Sequence, residues 1–280
     1  MAPWHHSLTG GPDAARYLAA AQGLPVSRPF HLRWALPYMC GTSPKSWWLT
    51  WLISWPILAV ATFAWAHTVT DDWRLSAATT AMLLGLPGIL GPRAVIPVGV
   101  DLPATATTMV GVWLVALGHP AQIAAGIVVI CLAATIRETS PVWAALWAWS
   151  PWPLVALAVV AVAAAVRKPG PDPLGPTFQT IAEHPIRASL EHHRGQWRDA
   201  WVMVAPWGVT LAALIGADWR LVVVLAVAYG QLLIATDTTR LLHHGAGPVM
   251  ALAAAQVIPT PWLLLAVVVH VAWWRPPHRV

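Results

Sequence analysis

Residues 102–136 contain no Asp, Glu, Lys or Arg, with Asp101 just before them and Arg137-Glu138 just after. One unbroken helix over that run would measure about 52 Å at 1.5 Å per residue, well beyond the roughly 30 Å of hydrocarbon in a bilayer. Gly118-His119-Pro120 falls near the midpoint, and a glycine–proline break stops a helix. The run therefore predicts a hairpin of two membrane helices, 102–117 and 121–136. A hairpin returns both ends to one face, so Asp101 and Arg137-Glu138 are expected side by side at the water boundary.

The rest of the chain has the same character. It is 58% hydrophobic and 10% charged over 280 residues, with a mean hydropathy of +0.61. Soluble domains carry about 25% charged residues. Further charge-free runs occupy 46–70, 75–92, 139–166, 200–217, 221–236 and 241–274. An unpaired backbone group in lipid costs several kcal/mol, so such runs must be helical. A barrel strand would alternate polar and apolar residues, and Leu154–Val166 does not. The predicted fold class is all-α, a multi-pass protein of the cell membrane with about eight or nine transmembrane helices.

The predicted spans are 46–66, 75–91, 102–117, 121–136, 142–166, 200–217, 221–236 and 241–274, the last broken at Ile258-Pro259-Thr260-Pro261. Residues 1–45 read as an amphipathic leader without signal-peptide pattern. Within it Asp13–Gln22 is a short helix closed by Gly23, and Phe30–Met39 lies along the membrane surface. Four segments follow: the leader 1–45, helices in 46–166, a polar loop at 167–199 with a surface helix over 178–198, and helices with a short basic tail in 200–280.

Twenty tryptophans against three Tyr and three Phe fit an interfacial belt, with Trp47, Trp48, Trp73, Trp197, Trp219, Trp273 and Trp274 at run edges. Cys40 and Cys131 lie too far apart in character and sequence to suggest a disulfide framework or thiolate metal site. The pI of about 9.9 comes from basic residues at segment ends, which suits membrane anchoring rather than nucleic-acid binding. Their distribution leans the 167–199 loop and the tail to the cytoplasmic side. His5-His6, His192-His193 and His243-His244 lack zinc-helix spacing and are expected at solvent or interfacial positions. There is no phosphate-cradling glycine loop, nucleophile elbow or dinucleotide fingerprint.

Nine spans would place Asp13, Asp101, Arg137, Glu138, Asp218 and Arg220 on one face, with Asp71-Asp72 and Asp237 on the other. Physics alone reads Asp101 as a helix cap ahead of Pro103, Arg137-Glu138 as a salt bridge capping two helices, and Asp218-Trp219-Arg220 as an interfacial turn. The stretch Asp13-Ala-Ala-Arg16-Tyr17, then Gly23, then Arg28-Pro29-Phe30-His31-Leu32-Arg33-Trp34-Ala35-Leu36-Pro37 resembles the first outer loop of GT-C-type glycosyltransferases. Asp101-Leu-Pro, the long hairpin and Arg137-Glu138-Thr139 resemble a later part of that family, as does Asp237-Thr-Thr-Arg240 with Pro248 and Ile258-Pro259.

The resemblance implies a polytopic enzyme that takes a sugar from a polyprenyl-phosphate carrier at the outer membrane face. Asp13 would be the general base on an acceptor hydroxyl, and Asp101 a second acid positioning the acceptor or a divalent cation. Arg33 and Arg137 would hold the donor phosphate, with Glu138 fixing Arg137 and Tyr17 beside them. A family helix precedes the first acid, whereas twelve residues precede Asp13, so either the true start lies further upstream or a shortened, degenerate relative is expected. The other reading is a non-enzymatic bundle, transporter-like or a membrane scaffold. A transporter should show a pseudo-repeat, and none is evident. Partners are thus the bilayer and a lipid-linked sugar, with no nucleic acid; nothing in the pattern specifies the sugar, the acceptor or an oligomeric state.

Overall fold

The computed structural model describes residues 11–90, 98–175, 183–196, 203–234 and 238–273. Every regular element among them is helical. The chain divides into two compact units, one of 1–61 with 95–184 and one of 62–94 with 185–280.

In the first unit, α1 (Gly11–Ala21) ends where Gly23 adopts φ +75°, with the Gly23 and Leu24 amides donating to Ala20 and Ala19. A glycine there closes the helix without a Cβ clash. A 3-10 turn at Phe30–Leu32 leads into α2 (Ala35–Cys40). This stretch, expected along the membrane surface, packs largely inward against the rest of the unit. Phe30, His31, Ala35, Leu36 and Pro37 are buried and only its end, Tyr38 and Met39, is exposed. Two tight turns replace the alternating pattern, and they fold Phe30 and Leu36 onto Tyr17, Leu18 and Trp47 in one core. Trp47, expected in the belt, is accordingly 1% exposed, whereas Trp73 and Trp219 are exposed.

The long helix α3 (Pro44–Thr70) is the one helix among the described residues long and apolar enough to cross a membrane. Its part up to Ala61 belongs to the first unit and the remainder to the second.

The charge-free run folds as the hairpin its sequence predicts: α6 (Asp101–Ala116) and α7 (Pro120–Ile136). Gly118 turns the chain at φ +77°, and His119 caps α7, its Nδ1 accepting the Ala121 amide at 3.3 Å. The two helices cross at glycines. A Cβ on Gly126 would lie 2.7 Å from the Gly111 carbonyl oxygen, and one on Gly111 would lie 2.5 Å from Ile130. After α3 in sequence come α4 (Trp73–Gly85) and the short α5 (Pro87–Leu90).

The span expected over 142–166 is not continuous. Its helix α8 (Ser140–Ala148) stops at Trp149, a residue at φ +50°, and a 3-10 turn at Trp152–Ala156 precedes α9 (Leu157–Val166). Pro151 and Pro153 withhold the amides a helix would need there. No residue of α9 is buried.

The second unit contains α4 and α5, then α10 (Pro185–Gln196), a kinked 3-10 segment (Ala205–Gly216), α11 (Trp219–Gly230), α12 (Thr238–Val257) and α13 (Thr260–Trp273). The span expected over 75–91 breaks at Leu86, which is extended because Pro87 follows. Leu86 then donates to Leu83, and the freed Met82 carbonyl accepts from His270 Nε2 at 3.0 Å. The run 241–274 is two helices parted at Ile258-Pro259. Asp218 caps α11 by accepting the Leu221 amide at 3.0 Å, the plain turn expected of it.

His243 and His244 are not solvent or interfacial; both are buried, as is His193. Placed on α12, a helix buried from Leu241 to Pro248, His243 is held by the Gly88 amide on Nδ1 at 2.8 Å and by the edge of contact with Trp207, centroids 4.8 Å apart. The His5-His6 pair, Asp237 and the side chain of His192 lie outside the described residues.

Candidate functional site

Three ionic groups gather in the first unit, and the Phe30 ring packs between two of them. The first is centred on Arg33, which caps the 3-10 turn with its amide bonded to the Phe30 carbonyl. Its guanidinium grips Glu138 from both sides, Nε to Oε2 and Nη2 to Oε1, each at 2.7 Å, and Nη1 donates to the Tyr17 oxygen at 3.0 Å. Burial pushes the Glu138 carboxyl up, but the charge and hydrogen bonds of Arg33, with Arg137 nearby, outweigh it and hold it below the usual carboxylate range. Burial also raises the Tyr17 phenol, against the pull of Arg33, with Asp13 and Asp101 adding to the rise. Tyr17 therefore stays a neutral phenol and senses both acids.

The second group is Asp101 with Arg137. Asp101 opens α6 but does not cap it; its carboxylate instead bonds Arg137 Nη1. Arg137 closes α7, its amide bonded to Ala133 at 2.8 Å. The hairpin therefore sets its two charged ends against each other. The expected bond from Glu138 to Arg137 is replaced by these two pairs. Neighbouring residues in the turn from α7 to α8 take different partners, Arg137 reaching the start of α6 and Glu138 reaching Arg33.

The third group starts in the first turn of α1, where Asp13 Oδ1 accepts from Arg16 Nη1 at 3.1 Å. Arg16 Nε donates to Asp172 Oδ2 at 2.8 Å, and the Ser27 hydroxyl donates to the same oxygen at 2.6 Å. The other Asp172 oxygen accepts the Leu174 amide at 2.9 Å. Burial raises the Asp172 carboxyl, yet these bonds from Ser27, Leu174 and Arg16 prevail and lower it. The Arg16 and Arg33 guanidiniums stand 4.7 Å and 5.2 Å from the Phe30 centroid, a cation–π arrangement that joins this group to the first.

All six residues singled out in the sequence, Asp13, Tyr17, Arg33, Asp101, Arg137 and Glu138, thus fall in these groups. Asp13 is the most open acid, with 28% of its side chain exposed, while Asp172 has 0%. The nine-span reading sets the 167–199 loop on the face opposite Arg16, and the Arg16–Asp172 bond, between residues 156 positions apart, corrects it. The one signal was a lone carboxylate amid Pro169–Pro176. Of Asp237-Thr-Thr-Arg240, Asp237 lies outside the described residues, so that match has no geometry here.

Chemically, the cluster offers one accessible carboxylate backed by arginine and two guanidiniums already paired with acids. Arg137 Nε is buried without a hydrogen-bond partner. Among the described residues no group of three or more His, Cys, Asp or Glu side chains could hold a metal ion. Comparison with known protein families, curated proteins and solved structures finds no match for the chain.

Proposed function

We propose that the chain is a polytopic membrane protein and that the first unit carries a glycosyltransferase-type site for a sugar on a polyprenyl-phosphate donor. The membrane part rests on apolar surface. All of α9 is without a buried residue, and Trp262, Leu264, Leu265, Val268 and Val271 of α13 are exposed. In water such patches would exceed what soluble monomers tolerate. In lipid they are ordinary.

The observation that carries the enzymatic part is the convergence of acids and arginines drawn from α1, the 30–33 turn, the start of α6 and the α7–α8 junction. Asp13, the open acid, is suited to take a proton from an acceptor hydroxyl. Arg16 holds it in place through its Nη1 bond. Donor phosphate would meet Arg137, whose Nη1 Asp101 holds while its Nε has no hydrogen-bond partner, and would reach Arg33 by displacing its Tyr17 bond.

A second reading is favoured by one specific feature: Arg33 and Arg137 are already neutralised by carboxylates. Closed pairs of this kind suit a non-enzymatic scaffold bundle, in which they specify packing rather than bind a substrate. Purified protein in liposomes, given radiolabelled polyprenyl-phosphate sugars, separates the two. Transfer by wild type that Asp13→Asn abolishes, with membrane insertion intact, supports the enzyme. Absence of both transfer and donor binding in wild type leaves the scaffold.

A further inference from the structure

Asp172 and Glu138 face inward, and the cations Arg28, Arg167 and Lys168 beside them stay exposed. Asp172 and Glu138 are consumed by Arg16, Ser27 and Arg33. The loop after α9 is fastened to residues 25–31: the Gly170 amide donates to the Val26 carbonyl at 2.9 Å, and a Cβ on Gly170 would lie 2.3 Å from Pro25. Arg167 Nε donates to the His31 carbonyl at 2.9 Å and its guanidinium stands 5.9 Å from the Trp34 ring. This zip leaves Arg28, Arg167 and Lys168 exposed, and none of them forms an ion pair among the described residues. The charges of Arg28 and Arg167 both act on His31, whose buried Nδ1 has no hydrogen-bond partner.

The height of this rim follows from α9. That helix is Leu-Ala-Val-Val-Ala-Val-Ala-Ala-Ala-Val with nothing buried, and Arg167 is its C-cap. Resting on the membrane reading above, lipid surrounds α9, so Arg167 and Lys168 stand where hydrocarbon gives way to headgroups, with Trp34 beneath Arg167 as an interfacial ring. Guanidinium groups pair with phosphate through two parallel bonds. Basic residues beside a membrane helix recruit anionic lipid.

We propose that Arg28, Arg167 and Lys168 form a docking site for the phosphate of an anionic phospholipid headgroup, preorganised by the clasp between residues 25–31 and 167–172. The test uses full-length protein in nanodiscs of equal parts phosphatidylglycerol and phosphatidylcholine, with the lipids that stay bound counted by native mass spectrometry. Wild type should retain phosphatidylglycerol over phosphatidylcholine at roughly ten to one, against one to one in the bilayer. Arg28→Gln, which removes a guanidinium that makes no hydrogen bond, should cut the enrichment, and Arg28→Gln with Arg167→Gln should abolish it. Arg187→Gln, on α10, should leave it unchanged. Equal enrichment in wild type and the double variant overturns the site. Displacement by millimolar inorganic phosphate overturns the headgroup in favour of a free-phosphate site. Insertion without enrichment overturns this proposal alone, whereas failure to enter the discs overturns the membrane reading with it.

Discussion

Arg33 and Glu138 meet across 105 residues through two 2.7 Å bonds, so the turn after Pro29 is tied to the open end of the helical hairpin by a single bidentate pair. Both side chains are largely buried, at 12% and 17% exposure. Removing one partner strands the other charge in a place water reaches poorly. Arg33→Ala is expected to destabilise the protein by about 3–5 kcal/mol. Arg33→Lys, which keeps the charge and loses the fork, should fall between it and wild type. Denaturant unfolding in detergent micelles measures both.

Acid should loosen the first unit at a pH set by two carboxyls. Glu138 and Asp172 are both held below their ordinary values in the folded chain. Unfolded carboxyls titrate near pH 4, so above about pH 5 the stabilisation is complete. As pH falls the unfolded chain takes protons first, and stability declines until the folded carboxyls also protonate. Thermal midpoints across that range should drop for wild type. Asp172→Asn should have a shallower acid limb and start about 2–3 kcal/mol less stable at neutral pH, because Arg16 and Ser27 lose a charged acceptor.

His31 gives a more local titration. Burial first, then the charges of Arg28 and Arg167, lower its imidazole below the ordinary value, with Glu138 opposing. The neutral ring thus persists further into acid than that of an unfolded histidine, and its contribution to stability is lost as pH falls from about 6.5. Arg28→Gln should move the His31 midpoint upward. Proton NMR of the ring resonances in micelles reads this directly; an unmoved or lowered midpoint would contradict it.

The hairpin crossing should not accept a methyl group. On Gly126 a Cβ meets the Gly111 carbonyl oxygen at 2.7 Å and Val115 at 2.8 Å. The oxygen belongs to a helix and cannot step aside. Gly126→Ala is expected to cost about 1–3 kcal/mol by overpacking, even though alanine gains about 1 kcal/mol of helix propensity over glycine. Gly118→Ala, at positive φ with open space around it, should cost less, about 1 kcal/mol. Unfolding in micelles ranks the pair.

What could be read from the chain beforehand followed the strength of local signals. Gly118-His119-Pro120 fixes a turn by itself, and the hairpin brings Asp101 to Arg137 with no further information. Gly23 likewise announces the end of α1. Helix length was less legible where prolines sit inside apolar runs, because Pro56 and Pro248 are tolerated within α3 and α12 while Pro87, Pro151 and Pro153 end theirs. Composition cannot tell these cases apart; neighbouring contacts that satisfy the freed carbonyls can, as His270 does for Met82. The burial of His243 and the pairing of Asp172 with Arg16 depend on residues more than a hundred positions away, and no local spacing encodes them.

The proposed site requires a hairpin that crosses the bilayer with its charged ends together. The helix α7 is 17 residues, about 26 Å at 1.5 Å per residue, close to the hydrocarbon thickness. The direct measurement is thiol labelling of sealed vesicles, in a background with Cys40 and Cys131 replaced, using His119→Cys at the turn and Thr139→Cys beside the Asp101–Arg137 pair. Labelling by an impermeant reagent from opposite sides of the membrane is the expected result. Labelling of both positions from the same side would contradict the transmembrane hairpin and the site built on it.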